Sequence, residues 1–436
     1  MFAVKRGKIG KRVDVGYNKP HYMNFIDGNY VPLGQYITAI DTGKNYPQVE
    51  PSCNTVGLIR TQNIRPVYAD MSTISHIPKT TAKHLTEQND LMFVRVGVGV
   101  GDCCVVDNSS SGCAFSDNTL RVKVHTINPE FISIWISLGI GKALLVSSAK
   151  GSGKAVISGE SIRNILIPNI AFSEQERLSN EYRKAFNKRT AKLREADELL
   201  AEIDKLLLER LGIGEISVKS RITSAVTLGT IKTEKTVGAE YYHPERLTVI
   251  RAIENNPAVS TRKLADIVDF LRDTVSADNQ SYLGLAGVVS NTGELSGAKE
   301  EAEGQAFSYR AGDVLYARLR PYLNKVLFAE TDGVCSTEFH VMRVNCSDVL
   351  PEYLTAIMRS KIIVAQTKHM MTGNTHPRIS NDDVRNLRIP VPSKDIQRTI
   401  INEMRNRIER SRLLKREAET EWTAAKGRFE RELMGN

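Results

Sequence analysis

Several patterns that mark membrane or metal-binding proteins are missing from this 436-residue sequence. No apolar run approaches the roughly 20 residues that a membrane-spanning helix requires. Residues 1–12 are basic and no apolar stretch follows them, so no signal peptide is visible and a cytoplasmic protein is expected. The six cysteines form no Cys-x-x-Cys pair and the eight histidines form no His-Glu-x-x-His motif. We therefore expect reduced, mostly buried thiols and no metal site.

Catalytic signatures are missing as well. Without a Pro-Pro dipeptide, the chain lacks the (Asp/Asn)-Pro-Pro-Tyr loop with which amino-methyltransferases hold a flipped base. There is no Pro-Asp dipeptide and no acidic residue followed two positions later by Lys, so the motif of a metal-dependent nuclease has no counterpart. Ser-His-Asp and Cys-His sites have no fixed spacing, and nothing in the sequence points to one. The sequence offers no catalytic site.

Two glycine-rich stretches resemble nucleotide-binding loops only in part. Residues 96–101 alternate Val and Gly after a predicted strand, but residues 103–106 continue as a strand where a dinucleotide-binding loop would open a helix. Residues 151–154 read Gly-Ser-Gly-Lys, yet the first Gly of a phosphate-binding loop would fall at Ser148 and its last position is Ala155. The first stretch is predicted to be a β turn and the second a flexible loop.

The charge balance is basic. The chain carries 59 Lys and Arg against 50 Asp and Glu, a net charge of +9, with an isoelectric point near 9.1. A basic chain suits a polyanion such as DNA because each neutralised phosphate releases counterions. An ordinary basic protein has the same balance, so charge alone leaves both interpretations open.

The sequence contains two copies of one module. From about Gly112 onward the copies keep a constant offset of 222 residues, and further upstream the offset drifts, so that residues 90–95 match residues 313–318. A repeat of this size predicts a duplicated domain, which can bind two similar targets at a set distance. The pairs at offset 222 include Ile167-Pro168 with Ile389-Pro390, Arg121-Val122 with Arg343-Val344, Pro129-Glu130 with Pro351-Glu352, and Gln175 with Gln397.

Each module begins with a β-rich part of about 150 residues, the size of an ordinary domain. Short apolar runs separated by Gly, Asn, Asp and Ser predict strands, and Pro-Glu at residues 129 and 351 predicts the start of a short helix. The overall class is therefore α+β. Strands are predicted at residues 91–96, 103–106, 120–124, 314–319, 326–329 and 340–344, and short helices at 129–138 and 351–358.

Each module ends in a long helical stretch. Ser173 followed by Glu176 matches a capping box, no Gly or Pro interrupts the chain from there to Gly212, and a second stretch begins near Ser393. Apolar residues recur every three or four positions along both stretches. At about 1.5 Å per residue each helix would be roughly 60 Å long, more than a domain needs for its own core. The apolar positions expected to bind a partner are Leu193, Leu200, Ile203, Leu207, Met404, Ile408, Trp422 and Phe429.

We expect the two helices to pack on each other as an antiparallel coiled coil. Each helix leaves one globular domain, and the segment between Gly212 and Glu240 is long enough to return the chain. The alternative is that each helix docks separately on its own domain.

The order of these elements resembles the specificity subunit of type I restriction-modification systems over nearly the whole chain. The local signatures are Gly-Ala-Glu-Tyr-Tyr-His-Pro at residues 238–244, Gly-Asp-Val-Leu-Tyr-Ala-Arg at 312–318, and an Ile-Ser…Ile-Pro segment before each helix, at 157–168 and 379–390. The resemblance implies two target-recognition domains, each reading a few base pairs of a split double-stranded DNA target. The helices would set the gap between them.

The resemblance also implies partners. Methyltransferase subunits, expected to be two, would bind the helices and carry S-adenosylmethionine, and restriction subunits would carry ATP and Mg. The expected boundaries are an N-terminal segment 1–22, a recognition domain 23–172, a central helix 173–213, a linker 214–244, a second recognition domain 245–392 and a C-terminal helix 393–436. An enzyme with an unrecognised site and a coiled-coil scaffold without DNA affinity are the competing classes.

In the first copy, turn residues with amide or guanidinium groups are the candidates for DNA contact, because such groups read adenine and guanine in the major groove. Arg60 and Asn63 could instead cap a strand turn, and the lysines and Arg95 could bind phosphate or only solvate a face. The candidates are Arg60, Gln62, Asn63, Arg65, Lys83, Arg95, Lys150, Ser152 and Lys154.

In the second copy, the densest polar and aromatic cluster lies at residues 318–325. Arg318 and Arg320 are expected on one face of a strand, because side chains alternate along a strand. One of the two could instead hold a buried carboxylate. A loop at 374–378 matches the glycine-rich loop of the first copy but differs in chemistry, which favours an asymmetric target. The candidates are Arg318, Arg320, Tyr322, Asn324, Lys325, Asn374, His376 and Arg378.

Overall fold

The computed structural model describes residues 29–147, 155–214, 225–234, 237–276, 282–298, 300, 304–373 and 375–434. The chain divides into two compact units. Unit 1 comprises residues 1–191 and 417–436, and unit 2 comprises residues 192–416. Among the described residues, no helix combines the length and the apolar character needed to cross a membrane.

Unit 1 is built on a five-stranded sheet of order β2-β9-β6-β7-β4, with a three-stranded sheet β5-β3-β8 and a pair β1-β10. Its described strands are β1 Tyr30–Pro32, β2 Ile37–Thr42, β3 Thr55–Ile59, β4 Val67–Tyr68, β5 Ser75–Pro78, β6 Leu91–Val94, β7 Cys103–Val105, β8 Ala114–Phe115, β9 Thr119–Val124 and β10 Leu166–Pro168. Its short helices are α1 Pro129–Ser137, α2 Gly139–Ser147 and α3 Gly159–Arg163.

Helix α1 fills the core of unit 1. The side chain of Asn128 caps it by accepting hydrogen bonds from two backbone N–H groups, and Pro129 starts it with a preset φ. Phe131 and Trp135 are completely buried among the apolar residues of the large sheet. The indole Nε1 of Trp135 donates to the backbone oxygen of Leu166, 3.1 Å away, so its polar atom is satisfied in the core. This packing fixes the sheet that positions the candidate site.

The first long helical stretch is α4 Phe172–Ala201 followed by α5 Ile203–Arg210. The predicted capping box is wrong: α4 begins at Phe172, and the N–H groups of Glu174 and Gln175 bond to the backbone oxygen of Ala171. Ser173 therefore lies inside the first turn. The stretch is divided at Glu202, and Gly212, with a φ of +67°, follows its end as a helix-terminating glycine does.

Unit 2 contains two four-stranded sheets, β12-β19-β16-β17 and β13-β15-β18-β14, and a pair β11-β20. Its described strands are β11 Ser260–Lys263, β12 Val268–Leu271, β13 Thr274–Ser276, β14 Tyr282–Leu283, β15 Gln305–Tyr309, β16 Val314–Ala317, β17 Val326–Phe328, β18 Gly333–Ser336, β19 Phe339–Val344 and β20 Arg388–Val391. Its further helices are α6 Leu228–Glu234, α7 Pro244–Glu254, α8 Pro351–Met358, α9 Lys361–Thr367 and α10 Asn381–Arg385. Helix α11 Lys394–Met434 has its first part in unit 2 and its last part in unit 1.

The same strand order recurs in the two units. The series β2-β9-β6-β7 of unit 1 corresponds to β12-β19-β16-β17 of unit 2. Helices α1 and α8 are 222 residues apart in their first residues, as are α3 and α10. The glycine-rich turn at 96–101 is confirmed: Gly97, Gly99 and Gly101 have positive φ, and strand β7 follows.

Strand register corrects one sequence pairing. The central strands β6 and β16 are related by an offset of 223, since Leu91 corresponds to Val314. Leu91 pairs with Val122, whereas Val314 pairs with Met342, so β9 and β19 are related by an offset of 220. The sequence offset of 222 between Arg121 and Arg343 therefore does not describe the sheet. A repeat can keep its overall offset while single strands shift by two residues, because a shift of two preserves which face is buried.

The globular part of unit 2 begins before residue 245. Tyr241 and Tyr242, placed in the linker by the sequence interpretation, are buried in the unit 2 core. Arg246 is almost completely buried beneath them, with its guanidinium 3.7 Å from the ring centre of Tyr241. The Tyr-Tyr-His-Pro signature thus packs into the domain that it precedes.

Within each unit, α11 packs on the first helical stretch. In unit 1, Arg189 pairs with Glu419 at 2.6 Å and Arg177 with Glu432, so rising numbers on one helix meet falling numbers on the other. Unit 2 shows the same relation. Its pairs are Asp197 with Lys415 at 2.9 Å, Glu202 with Arg407 at 2.7 Å, and Arg210 with Glu403.

This packing covers four of the apolar positions that were predicted to bind a partner. Leu207 and Met404 are buried in the core of unit 2, and Phe429 is buried against Phe131 in unit 1. Trp422 packs edge-on against Tyr182, with ring centres 4.7 Å apart. Leu207, Met404 and Phe429 leave no apolar surface for a partner, so the prediction is wrong for these three. Trp422 is partly buried, as are Leu193, Leu200, Ile203 and Ile408.

The thiols are mostly buried, as predicted. Cys103, Cys104, Cys113 and Cys335 are buried, Cys346 is partly buried and Cys53 is exposed. None of the six is in a disulfide. Burial raises the pKa of the four buried thiols, which keeps them protonated and unreactive.

Candidate nucleic-acid interface

Arg95 and Arg318 occupy the same place in the two units. Each follows the central strand of its large sheet, β6 or β16. The N–H of Arg95 donates to the oxygen of Asn118 and its oxygen accepts from Ile157; Arg318 has the corresponding bonds with Glu338 and Ile379, all between 2.9 and 3.1 Å. The backbone on both sides is therefore fixed, and each side chain leaves the sheet from an equivalent point.

Two loops of unit 2 come together next to Arg318. Residues 318–325 and 372–378, named here the paired loops, are joined by a bridge between Leu319 and Arg378. The N–H of Arg320 also donates to the oxygen of Pro377 at 2.8 Å. The sequence placed candidates in both loops without showing that they meet. The corresponding candidates of the first copy, Lys150, Ser152 and Lys154, and also Asn374, lie outside the described residues.

The paired loops expose three of the candidates. Arg320, Tyr322 and His376 are exposed, and the guanidinium of Arg320 makes one long contact, 3.4 Å, with the oxygen of Thr375. Arg320 has a φ of +49°, which ends any strand there. The expectation that Arg318 and Arg320 share a strand face is thus wrong, because β16 stops at Ala317. The guanidinium of Arg320, the phenol of Tyr322 and the imidazole of His376 are thus accessible to a ligand.

Two other candidates serve the fold. Asn324 is buried, and its amide donates to the side chain of Asn291 and to the backbone oxygen of Arg359. The Nζ of Lys325 donates to the oxygen of Leu285 at 2.7 Å. The predictions that Asn324 and Lys325 contact DNA do not fit, because these groups already hold the loop to its neighbours.

Arg378 also serves the fold. Its guanidinium binds both carboxylate oxygens of Glu338 at 2.7 to 3.1 Å, and these bonds lower the pKa of Glu338. The guanidinium of Arg318 lies near the same carboxylate, with a closest separation of 3.9 Å. Of the arginines in these loops, Arg378 anchors the carboxylate of Glu338 and Arg318 lies beside it, whereas the guanidinium of Arg320 contacts the oxygen of Thr375.

A small cavity of about 160 Å³ lies beside this ion pair. Its wall includes Arg318, Glu338 and His340, with Phe270 and Phe339 on the apolar side. His340 is 6% exposed, and burial lowers its pKa to about 4, with Arg318, Arg272 and Arg385 adding to the shift. The imidazole is neutral at pH 7. Sequence reasoning missed His340 and Glu338 because His340 is on β19 and Glu338 is in the short turn before that strand, not in a basic loop.

In unit 1, the described candidates differ in exposure, and one of them, Asn63, belongs to the fold. Asn63 is completely buried, its Oδ1 accepts from the N–H of Arg60 at 3.0 Å and its Nδ2 donates to the oxygen of Asp70. Asn63 therefore closes the turn, and the prediction that it reads a base does not fit. Gln62, Arg65 and Lys83 are exposed, and Arg60 and Arg95 are half-buried.

One cluster with metal-ligand chemistry appears among the described residues. His243, Glu245 and His369, scattered in the sequence, have ligand atoms within 4.8 Å of one another. The two rings stack face to face, with centres 3.3 Å apart. Glu245 is already paired with the ammonium of Lys368 at 2.6 Å. The lone pairs of two parallel imidazole rings do not converge on one point, and the ammonium of Lys368 already pairs with the Glu245 carboxylate.

The chain matches known proteins over part of its length. Residues 259–420 match the family model of the type I restriction modification DNA specificity domain. The chain is 31% identical over 119 residues to the type I restriction enzyme HindI specificity subunit of Haemophilus influenzae, and 25% identical over 143 residues to the EcoDI specificity subunit of Escherichia coli. These matches cover 26% and 32% of this chain, and 25% and 32% of the two relatives.

The chain is also similar to chains of solved structures. A chain from a study of complex assembly and conformational transition of the type I R-M system has a TM-score of 0.48, at 15% identity, over 93% of this chain and 97% of that one. The S subunit from M. genitalium has a TM-score of 0.48 at 10% identity, over 93% and 95%. The family model and the curated relatives confirm the resemblance predicted from the sequence for the parts of the chain that they match.

Proposed function

We propose that this chain, which resembles the specificity subunits of type I restriction-modification systems, reads a split and asymmetric DNA target. The observation that carries the proposal is the equivalence of Arg95 and Arg318, each held in the same backbone frame at the end of a central strand. Two equivalent exit points suit two half-sites. Their neighbours differ, since Asn118 stands where the other unit has Glu338, which favours unequal half-sites.

The exposed groups would contact either phosphates or bases of the DNA. Arg320 and His376 are on the paired loops of unit 2, and Gln62 and Arg65 are exposed on a turn of unit 1. Contacts to phosphates would supply most of the affinity and its salt dependence. A good bidentate pair with a base would supply about 1 to 3 kcal/mol of discrimination.

The two long helices would act as an antiparallel coiled coil that sets the gap between half-sites. The ion pairs between α11 and the first helical stretch, with opposite running directions in each unit, support this arrangement. Exposed pairs of this kind contribute about 0 to 1 kcal/mol each. These ion pairs favour one register of the two helices but add little to the free energy of unfolding. The buried Leu207, Met404 and Phe429 supply the apolar contact.

The chain would be the non-catalytic subunit of a larger enzyme. Two methyltransferase subunits would carry S-adenosylmethionine, and restriction subunits would carry ATP and Mg. Of the predicted apolar helix positions, the half-buried ones are left to contribute to such contacts: Leu193, Leu200, Ile203, Ile408 and Trp422. The competing interpretations are a nuclease or methyltransferase with an unrecognised site, and a scaffold that binds only proteins.

Binding of duplex DNA at several salt concentrations separates these classes. A DNA reader should bind with an affinity that falls steeply as salt rises, because counterions are released. A scaffold should show no salt-dependent binding. Cleavage with Mg or methylation with S-adenosylmethionine by the purified chain alone would instead identify an enzyme.

A further inference from the structure

The cavity beside Arg318 contains two buried polar atoms without partners. The Nε of Arg318 and the Nε2 of His340 are buried and have no hydrogen-bond partner among the described residues; Arg318 Nε lies 3.9 Å from Oε2 of Glu338, too far for a hydrogen bond. Both side chains line the cavity. A buried donor without an acceptor is unfavourable, so such atoms point to a group that enters from outside.

The fold itself does not require a histidine at this position. His340 faces Tyr316 across the strand pair β16-β19, and the equivalent pair in unit 1 is Phe93 facing Leu120. Leu120 is 3% exposed and packs in an apolar core. The same sheet position is thus filled by a leucine in one unit and, in the other, by a histidine whose Nε2 has no hydrogen-bond partner among the described residues.

The surroundings of the cavity are positive. Arg272 and Arg318 line it, and Arg385 lies over the ring of Phe270, 4.5 Å from the ring centre. Glu338, the carboxylate on the wall, is neutralised by the bidentate bonds from Arg378. An anionic group would therefore meet donors and an excess of positive charge, because Arg378 already pairs with the Glu338 carboxylate.

We propose that this cavity binds a phosphate of the DNA backbone, with Arg318 Nε and His340 Nε2 as its hydrogen-bond donors. The inference rests on the proposed function and deepens it. The neutral imidazole would carry its proton on Nε2. Phosphate contacts fix the register of a protein on the duplex and carry no base information, so this site would orient unit 2 while the paired loops read sequence.

The first test is the salt dependence of DNA binding by the full chain. Arg318→Gln removes the cation, and His340→Leu copies the residue that unit 1 has at the same sheet position. Arg398→Gln, on an exposed part of α11, removes the same charge elsewhere and serves as the control. For Arg318→Gln the slope of log K against log salt should become shallower by about 0.9, the value for one phosphate.

His340→Leu should lower the affinity on the order of tenfold, equally for specific and random duplexes, because phosphate contacts are independent of sequence. Arg398→Gln should leave the slope nearly unchanged. If Arg318→Gln keeps the wild-type slope, or if His340→Leu binds as tightly as wild type, no phosphate occupies the cavity and the proposal is overturned.

Inorganic phosphate distinguishes a site for any phosphate from a site for DNA. Phosphate should raise the Tm of the wild-type chain above that in chloride at equal ionic strength, and His340→Leu should lose this gain. A gain in Tm with an unchanged DNA slope for Arg318→Gln would mean a free anion as ligand and would contradict the proposal. If the slope changes as expected but the wild-type chain prefers no sequence, the proposed function fails while the phosphate site stands.

Discussion

Gln175 and Gln397, 222 residues apart, make the same two hydrogen bonds in their respective units. The Oε1 of Gln175 accepts from the N–H of Asn128, and its Nε2 donates to the oxygen of Ile170, both at 3.0 Å. Gln397 bonds in the same way to Leu350 and Pro392 at 2.9 Å. Each buried glutamine therefore ties the start of a short helix to the loop that precedes a long helix.

Replacing these glutamines should destabilise the fold. Gln397→Ala leaves the N–H of Leu350 and two carbonyls, of Asp348 and Pro392, without partners, and should lower the free energy of unfolding by about 2 to 3 kcal/mol. Gln175→Ala should cost about 1 to 2 kcal/mol because it loses fewer bonds. Urea unfolding measures both. Gln62→Ala, on an exposed side chain, is the control and should change the free energy by less than about 0.5 kcal/mol.

The stability of unit 2 should depend on pH through His340. Its pKa in the folded chain is about 4, below the usual 6.5, so the unfolded chain binds more protons between these values. The contribution of neutral His340 is complete above pH 6.5 and is lost as the pH falls towards 4, by about 3 kcal/mol in all. His340→Leu should be at least as stable as wild type at pH 7. Its advantage should grow from pH 6.5 to 4 in urea unfolding; an equal pH dependence of both chains would show that His340 does not titrate in this range.

Arg320 offers a cleaner test of the paired loops than a double charge reversal with Arg318. Arg318→Glu would place a second carboxylate beside Glu338 and would disturb the fold. Arg320→Glu changes only an exposed side chain, and should weaken DNA binding on the order of tenfold at low salt while leaving the Tm unchanged. Arg398→Glu is the control of equal charge change. Equal binding by both variants would remove Arg320 from the interface.

The spacing role of the helices can be tested by lengthening them. Two heptads, about 14 residues, inserted after Ala191 and after Arg416 fall where the division between the units crosses both helices. At about 1.5 Å per residue the insertion adds roughly 21 Å. With about 3.4 Å per base pair, the gap should grow by about six base pairs. Selected half-sites should keep their bases; changed bases would mean that the helices take part in reading.

The central strands and the match of residues 90–95 with 313–318 were visible in the sequence, because strands buried on both faces appear as short apolar runs and the repeat preserves neighbouring residues. That match already aligned Arg95 with Arg318. Asn63, Asn324 and Arg378 were misjudged for a physical reason: a polar loop residue that binds DNA and one that closes a turn have the same local composition. Only tertiary contacts distinguish the two.

His340 shows a second limit. At the general offset of 222 it aligns with Asn118, a polar loop residue, and nothing unusual is visible. The shift of β19 to an offset of 220 makes Leu120 its true counterpart. A buried histidine in place of a leucine becomes apparent only from the strand register, which the sequence does not determine by itself.

The most direct measurement is selection from random duplex DNA by this chain purified with a methyltransferase subunit, followed by sequencing of the bound pool at moderate salt. The account predicts two short fixed blocks of different sequence, separated by a constant number of unspecified bases. A pool without enrichment, from a well-folded complex, would contradict the account and favour a scaffold or an enzyme acting on another substrate.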